Sequence, residues 1–582
     1  MLLYLSAIVL TLAMPFERLQ PALTFPGQKL TNLEAVMLVA IVCWIVAVAR
    51  TRDLPELSTR IAWPVAGIVA SMILSALLAG EHRVNSFKFT GRFLAGFAVC
   101  LLAIRAVCSS RRALGVVAAA LSAAVVVSTL AILEWLEVPA VLNWLTQFRP
   151  GVAVVGGNIR ATSTLQYPTI TSMYLEIVFA LGLALFGSAV DRRRWLAAIG
   201  TALALLVVAI GVVLTFTRAG LVVLLAVLVA SLVMWGLRRG LDRGSVALAV
   251  LTVAVGAIIT ASFAGGLQWL RVTTEQQQGW YQATYDVPER LTLRTLETRL
   301  VDVRVRNDGR VTWSTDERSP FRLSYHWLDR EGRPAEFDGL RTAFEVEVPP
   351  GAEVAVRARV RAPSRPGAYQ LAWDVVQEQR LWFSTEGASG PRTAALVEGE
   401  AARGVAPPVI AELPRPRPRI GRIELWRAAG RMLRTAPLFG VGPDNFRLEY
   451  GRFADIDRPD PRVHANNVYL EFMTGSGLVG GAMFLWLVWR LGRVAVTKWR
   501  QAPPDRLPLV MGAAAAVGAI LLHGFVDAFF EFTPTYLMIW LALALLVCDE
   551  GWPTEVASIQ WPVASKNAGA LWPLTTGHWP LR

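Results

Sequence analysis

Few ionisable residues flank the hydrophobic stretches of this sequence outside its Arg-rich loops, and five of them could do chemistry: Arg160, Arg218, Arg422, His464 and Asp527. They come from five separate segments. A guanidinium offers a planar fork of donors that matches phosphate oxygens, so three arginines brought together would suit a phosphorylated ligand. Arg218, in Thr215-Phe216-Thr217-Arg218-Ala219-Gly220, joins two apolar stretches with almost no loop between them. It reads equally as an anchor reaching for lipid headgroups or as a phosphate ligand. His464, in Val463-His464-Ala465-Asn466-Asn467, stands just before an apolar run, with a reference pKa of about 6.5. A neutral imidazole there could take a proton from a hydroxyl; the alternative is a hydrogen-bonded histidine at a helix start. Asp527 could orient a partner or simply fix the end of its helix.

The elements that must position these residues follow from composition. Hydrophobic residues make up 54% of the 582 and charged residues 17%, outside the range of soluble domains, so the chain is read as membrane-embedded. Windows of about 20 apolar residues, enough to cross roughly 30 Å of hydrocarbon as helix, give about twelve spans. They are Met1 to Met14, Glu34 to Ala49, Ile61 to Ala79, Phe93 to Cys108, Ala113 to Leu136, Thr169 to Ala189, Trp195 to Phe216, Leu221 to Leu237, Val246 to Phe263, Val468 to Leu491, Leu507 to Phe530 and Tyr536 to Cys548. The first is taken as a short helix rather than a signal peptide, because no Lys or Arg precedes it and no small-x-small site follows Met14.

The formal charge of +13 could suggest nucleic acid as a partner, but many arginines fall in short loops, where they act as topology signals instead. Alternate loops carry Arg50, Arg52 and Arg60; Arg111 and Arg112; Arg192 to Arg194; Arg238, Arg239 and Arg243; and Arg490 to Arg506. Those loops are expected to be cytoplasmic, with both termini. The segment from Gly266 to Asn467 then lies outside, in the periplasm of a Gram-negative source. All four cysteines, Cys43, Cys100, Cys108 and Cys548, sit within or at the ends of spans, which leaves none in the exposed segment for a disulfide framework.

The domains are therefore expected as an N-terminal bundle of about nine helices over 1–266, an exposed segment over 267–419, a membrane-proximal stretch over 420–467, C-terminal spans over 468–549 and a cytoplasmic tail over 550–582. Within the exposed segment, residues 287–387 change to alternating patterning. Val301, Val303 and Val305 precede a turn at Asn307-Asp308-Gly309, and Phe344, Val346 and Val348 precede Pro349-Pro350-Gly351. About seven short strands in roughly 100 residues predict an inserted all-β sandwich of immunoglobulin type. His326 and Trp327 are expected to alternate between core and surface. Residues 398–419, with Pro407, Pro408, Pro414, Pro416 and Pro418, read as a semi-stiff tether.

Four stretches share a pattern. Asn158-Ile159-Arg160-Ala161-Thr162 is followed by Tyr167-Pro168; Thr217-Arg218-Ala219-Gly220 is the second. The third runs from Arg422 through Trp426 and Arg427 to Pro437-Leu438-Phe439-Gly440-Val441-Gly442-Pro443-Asp444-Asn445-Phe446, then His464-Ala465-Asn466-Asn467-Val468-Tyr469-Leu470 and Gly475-x-Gly477. His523-Gly524-Phe525-Val526-Asp527 is the fourth. Together they resemble the bacterial O-antigen ligase and O-antigen polymerase superfamily of membrane glycosyltransferases, with Asn466 where that family usually has a second His.

The resemblance implies a polytopic α-helical inner-membrane protein of glycosyltransferase C type. It implies a glycan donor on undecaprenyl diphosphate, and an acceptor hydroxyl or amide on lipid A core, protein or another lipid-linked repeat. Transfer would be metal-independent, inverting and without cofactor. His464 would be the general base, Arg160, Arg218 and Arg422 would stabilise the departing diphosphate, and Asn466, Asn467 and Asp527 would support them. Asp455, Asp457 and Asp460 read as a solvated loop, with metal binding the lesser alternative. Ligase and polymerase share this donor chemistry. A flippase or exporter would place ionisable groups mid-membrane, where Glu176 is the main example, and a binding protein would need only its sandwich.

Overall fold

The computed structural model describes residues 1–548 except 26–27, 53–60, 108, 150, 156–157, 266–267, 269–278, 316–318, 337, 379, 401–419, 457–458 and 529. Most of the expected tether, the expected tail, Cys108 and Asp457 thus lie outside the described residues. The N-terminal helices are α1 (Leu2–Ala13), α2 (Asn32–Thr51), α3 (Ala62–Leu78), α4 (Arg83–Ala106), α5 (Ser110–Trp135), the short α6 (Pro139–Leu145), α7 (Pro168–Asp191), α8 (Trp195–Leu214), α9 (Arg218–Arg239) and α10 (Arg243–Ala264). Two hairpins decorate them, β1 (Leu23–Phe25) with β2 (Gln28–Leu30) and β3 (Ala153–Val155) with β4 (Asn158–Arg160).

After the exposed segment come α11 (Arg422–Thr435), α12 (Phe446–Phe453), α13 (Val468–Gln501), α14 (Leu507–His523) and α15 (Thr533–Val547). Among the described residues, eight helices are long and apolar enough to cross a membrane: α2, α4 with the turn before it, α5, α7 to α10, and α13. The other four apolar windows fall on the shorter helices α1, α3, α14 and α15. The chain is a polytopic helical membrane protein.

Helix α7 sits at the centre, buried along almost its whole length. Small residues permit this, because they let backbones approach without a driving force from water. A Cβ on Gly512 of α14 would lie 2.9 Å from the Cβ of Ala184 and 3.1 Å from the Ala180 carbonyl. On the outer helices Leu196, Leu203, Val222, Val229, Val250 and Val253 are exposed, an apolar surface suited to lipid.

The exposed segment folds as two sheets. One has the order β11-β7-β5, from β5 (Ala283–Asp286), β7 (Thr298–Asn307) and β11 (Glu353–Arg361). The other combines β6 (Arg290–Arg294), β8 (Phe321–Leu328), β10 (Thr342–Ala343), β12 (Gly367–Gln377) and β14 (Arg392–Glu398) in the order β10-β8-β12-β14-β6, with β9 (Pro334–Glu336) beside β8 and β13 (Leu381–Trp382) beside β12. Period-two alternation along β7 and β11 turns Val301, Val303, Val305, Val356, Ala358 and Val360 inward against Trp313, Trp327 and Trp373. The sandwich is wider than the patterning of 287–387 predicted, because β5 and β14 close it at either end.

His326 and Trp327 do not alternate between core and surface; both are buried. Trp327 faces the inter-sheet core. His326, on the opposite face, is covered by Trp382 at a ring separation of 4.5 Å and pairs with Asp374 at 3.1 Å. The outer face of this sheet is roofed by β13 and the turn after it, so the alternation of burial is lost there.

Candidate active site

Helix α11 presents Leu425, Ala429 and Met432 to Phe446, Tyr450 and Ala465. This amphipathic stripe docks it over the chain that precedes α13. Trp426 Nε1 donates to the Ala465 carbonyl at 3.0 Å, which pins the residue after His464. The Gly-rich turn after α11 lies along a kink inside α13 at Gly477 (φ 67°). Val441 N–H donates to the Thr474 carbonyl (2.9 Å), Gly442 N–H to Gly475 (3.1 Å) and Leu478 N–H to Pro437 (2.8 Å). A Cβ on Gly477 would fall 2.2 Å from the Leu438 carbonyl oxygen, so only glycine allows the two segments to meet.

His464 reaches the site through a left-handed residue, Asn466 (φ 49°), a conformation asparagine tolerates. Asn467 then caps α13, accepting from Leu470 N–H at 3.0 Å and donating to the Phe525 carbonyl at 3.0 Å. Both asparagines thus have backbone work to do.

The imidazole of His464 is held between two carboxylates. Nδ1 lies 3.2 Å from Glu471 Oε1, which also accepts from Ala465 N–H at 2.7 Å. Nε2 lies 2.5 Å from Glu531 Oε2, an ion-pair contact. Arg447 stands 3.3 Å from Glu531 and 2.8 Å from Asp444, and its Nη2 donates to Asn85 at 2.9 Å.

Burial opposes charge on His464, but the bonds and fields of Glu471 and Glu531 outweigh it and raise its pKa to about 10. Burial raises Asp444, and its hydrogen bond with Glu531 raises it further, to about 6. Burial likewise opposes charge on Glu531, yet His464 and Asp444 hold it ionised, down to about 2. The two carboxylates thus favour the charged form of His464, where its position in the sequence suggested a neutral imidazole.

The arginines come from neighbouring loops. Arg160 Nε donates to the Thr215 carbonyl at 3.1 Å and Ala161 N–H to Leu214 at 2.9 Å, which brings Arg160 beside the turn that leads into Arg218. The Arg160 loop is held from below by Glu134, fully buried, which accepts from Thr162 N–H (3.1 Å), Ser163 N–H (2.6 Å) and Arg149 (2.5 Å). Gly220 packs against Ser172 and Glu176, where a Cβ would fall 2.1 Å from the Ser172 hydroxyl.

Glu176 pairs with His523 at 2.8 Å, both deeply buried, and Ser172 donates to it at 2.5 Å. Arg422, exposed at the start of α11, and Asp527, in the loop after α14, both act electrostatically on His523. The Glu176–His523 pair thus links the segments of Arg218, Arg422 and Asp527, and Val468 N–H, bonded to Gly524 at 2.8 Å, ties in the His464 segment. Sequence reasoning missed Glu471, Glu531, Asp444 and Arg447. Glu471 and Asp444 sit inside or beside the third stretch, but Glu531 was hidden at the edge of an apolar run.

Asp444, His464 and Glu531 each offer one ligand atom, all within 4.8 Å of one another, and could hold a divalent cation. Arg447 already supplies positive charge there.

Residues 416–485 match the model of the O-antigen ligase family. This segment is similar to the O-antigen ligase family. The match covers the third stretch, with His464, Glu471 and Asp444, and the segments of Arg160, Arg218 and Asp527 lie outside it. Among curated proteins none matches the chain.

Proposed function

We propose that this chain transfers a glycan from undecaprenyl diphosphate to an acceptor hydroxyl or amide on the periplasmic face of the bacterial inner membrane, as an O-antigen ligase does. The observation that carries the proposal is His464, within the segment similar to the O-antigen ligase family, held between Glu471 and Glu531. In the reaction the acceptor oxygen bonds to the anomeric carbon as the bond from that carbon to the diphosphate breaks.

The acceptor proton goes to the His464–Glu531 pair, to the Glu531 carboxylate when His464 is charged and to His464 Nε2 when it is neutral. Groups this close titrate as a set, so the pair, rather than either residue alone, is the base. Glu471 fixes the ring by its Nδ1. The departing undecaprenyl diphosphate gains negative charge, which Arg160, Arg218 and Arg422 stabilise from three segments, without a metal. Asn466 and Asn467 set the approach of His464, and Asp527 orients the Arg422 side through His523. The buried partner of Glu176 supports a positioning role for it rather than a transport path.

The test is transfer in membranes supplied with lipid-linked glycan, wild type against Glu531→Gln and His464→Gln at equal protein level. Full transfer by both variants would refute the role of the pair. Surface polysaccharide in a deletion strain separates the acceptors: polymer left on its carrier lipid identifies a ligase, single repeats a polymerase.

A further inference from the structure

Helix α11 has a second face. Its buried stripe of Leu425, Ala428, Ala429 and Met432 is turned toward the site, and the opposite side, with Ile423, Arg427, Arg431 and Arg434, is exposed. At about 100° per residue the three arginines share a sector of about 60°, and Arg422 is turned away from them by about 120° or more. They are thus distinct from the arginine assigned to the diphosphate. None of the three is ion-paired among the described residues. Glu424, the only acid in the helix, is turned back to accept from Gly421 N–H at 3.3 Å.

The end of α11 runs onto the lipid-facing side of α13. Leu478 N–H donates to the Pro437 carbonyl at 2.8 Å and Val479 N–H to Leu438 at 3.2 Å. Leu438 is 60% exposed and Leu478 52%, and the exposed apolar surface continues along α13, a helix long enough to cross the membrane, through Leu485 and Trp489. Such a stripe on a span faces lipid. The arginines therefore sit where hydrocarbon gives way to headgroups, with Ile423 on the same face. At that level their stems can lie along lipid while the guanidiniums meet phosphate.

We propose that α11 docks on the outer surface of the bilayer, with Arg427, Arg431 and Arg434 holding the phosphates of anionic phospholipids. Three unmatched positive charges on one face call for a surface of net negative charge, which a zwitterionic headgroup does not supply. Through Trp426 the same helix pins the residue after His464, so docking aligns the site. That consequence, unlike the docking itself, rests on the transfer reading.

The experiment is hydrogen exchange over residues 422–435 of the full chain, in nanodiscs of phosphatidylcholine alone and mixed with phosphatidylglycerol. Wild type should exchange at least about fivefold more slowly in the mixture, the worth of one arginine at an anionic surface. The slowing should fade at about 1 M salt, where the Debye length is about 3 Å. A chain with Arg427→Gln, Arg431→Gln and Arg434→Gln should exchange alike in both discs, and Lys at the same three positions should restore the slowing. Equal exchange of wild type in both discs, slowing that survives the Gln substitutions, or the same slowing by inorganic phosphate in phosphatidylcholine discs would overturn the proposal. Exchange is read without donor, so a chain that shows these effects but transfers nothing would leave the docking standing and remove the transfer reading.

Discussion

Replacing Glu531 by Gln takes one of two carboxylates from His464 while keeping the size of the side chain. The rise of His464 from 6.5 to about 10 corresponds to roughly 5 kcal/mol in favour of imidazolium. Glu471 remains in the variant, 3.2 Å from Nδ1. An opposite charge at this range is worth about 1–3 pH units, so the midpoint of the variant should fall to about 7–9. With five histidines in the chain, selective ¹³C-histidine labelling in nanodiscs resolves the titration, and His464→Gln assigns the signal. The sign follows from a folded pKa above the unfolded one: stability from the charged His464 is full below about pH 6.5, declines as pH rises and is gone above about pH 10. In Glu531→Gln that loss should be complete at lower pH. Transfer by this variant should be slow at pH 7 and rise with pH through about 7–9, as imidazole alone becomes the base. A wild-type His464 that titrates near 6.5, or a midpoint unmoved by Glu531→Gln, would refute the reasoning.

Substituting Arg160, Arg218 or Arg422 by Ala should each lower the transfer rate by about 10²–10³-fold at unchanged membrane level, as for removal of one donor to a developing oxyanion; immunoblots of the same membranes check the level. Glu134→Ala leaves Arg149 buried without its carboxylate and should cost about 3–5 kcal/mol, read as a lower thermal midpoint and faster proteolysis of the Arg160 loop. Gly477→Ala puts a methyl against the Leu438 carbonyl at a left-handed position, and should cost about 1–3 kcal/mol or more, seen as reduced yield of folded protein in detergent.

Much of the helical frame was legible because apolar windows near 20 residues have few other uses. Each window has its helix in the structure, down to the short α1 and α15. The run from Leu507 to Phe530 was misleading. Its helix stops at His523, and the described residues between Gly524 and Phe532 lie outside any helix and bring Glu531 to His464. Hydropathy could not place that break, since Phe525, Val526 and Phe530 are as apolar as the helix before them. The charge on His464 was illegible for another reason: it depends on carboxylates from two segments brought around the ring only by folding. Alternation located β7 and β11 well, but failed at His326, where a roof of later residues buries the outer face of the sheet.

The most direct test is single-turnover transfer of lipid-linked glycan by purified wild-type chain and by His464→Ala, each reconstituted with the same acceptor. Wild type should transfer, and the variant should bind donor normally while losing about 10²–10⁴-fold in rate. Equal rates for the two would contradict the assignment of this chemistry to His464.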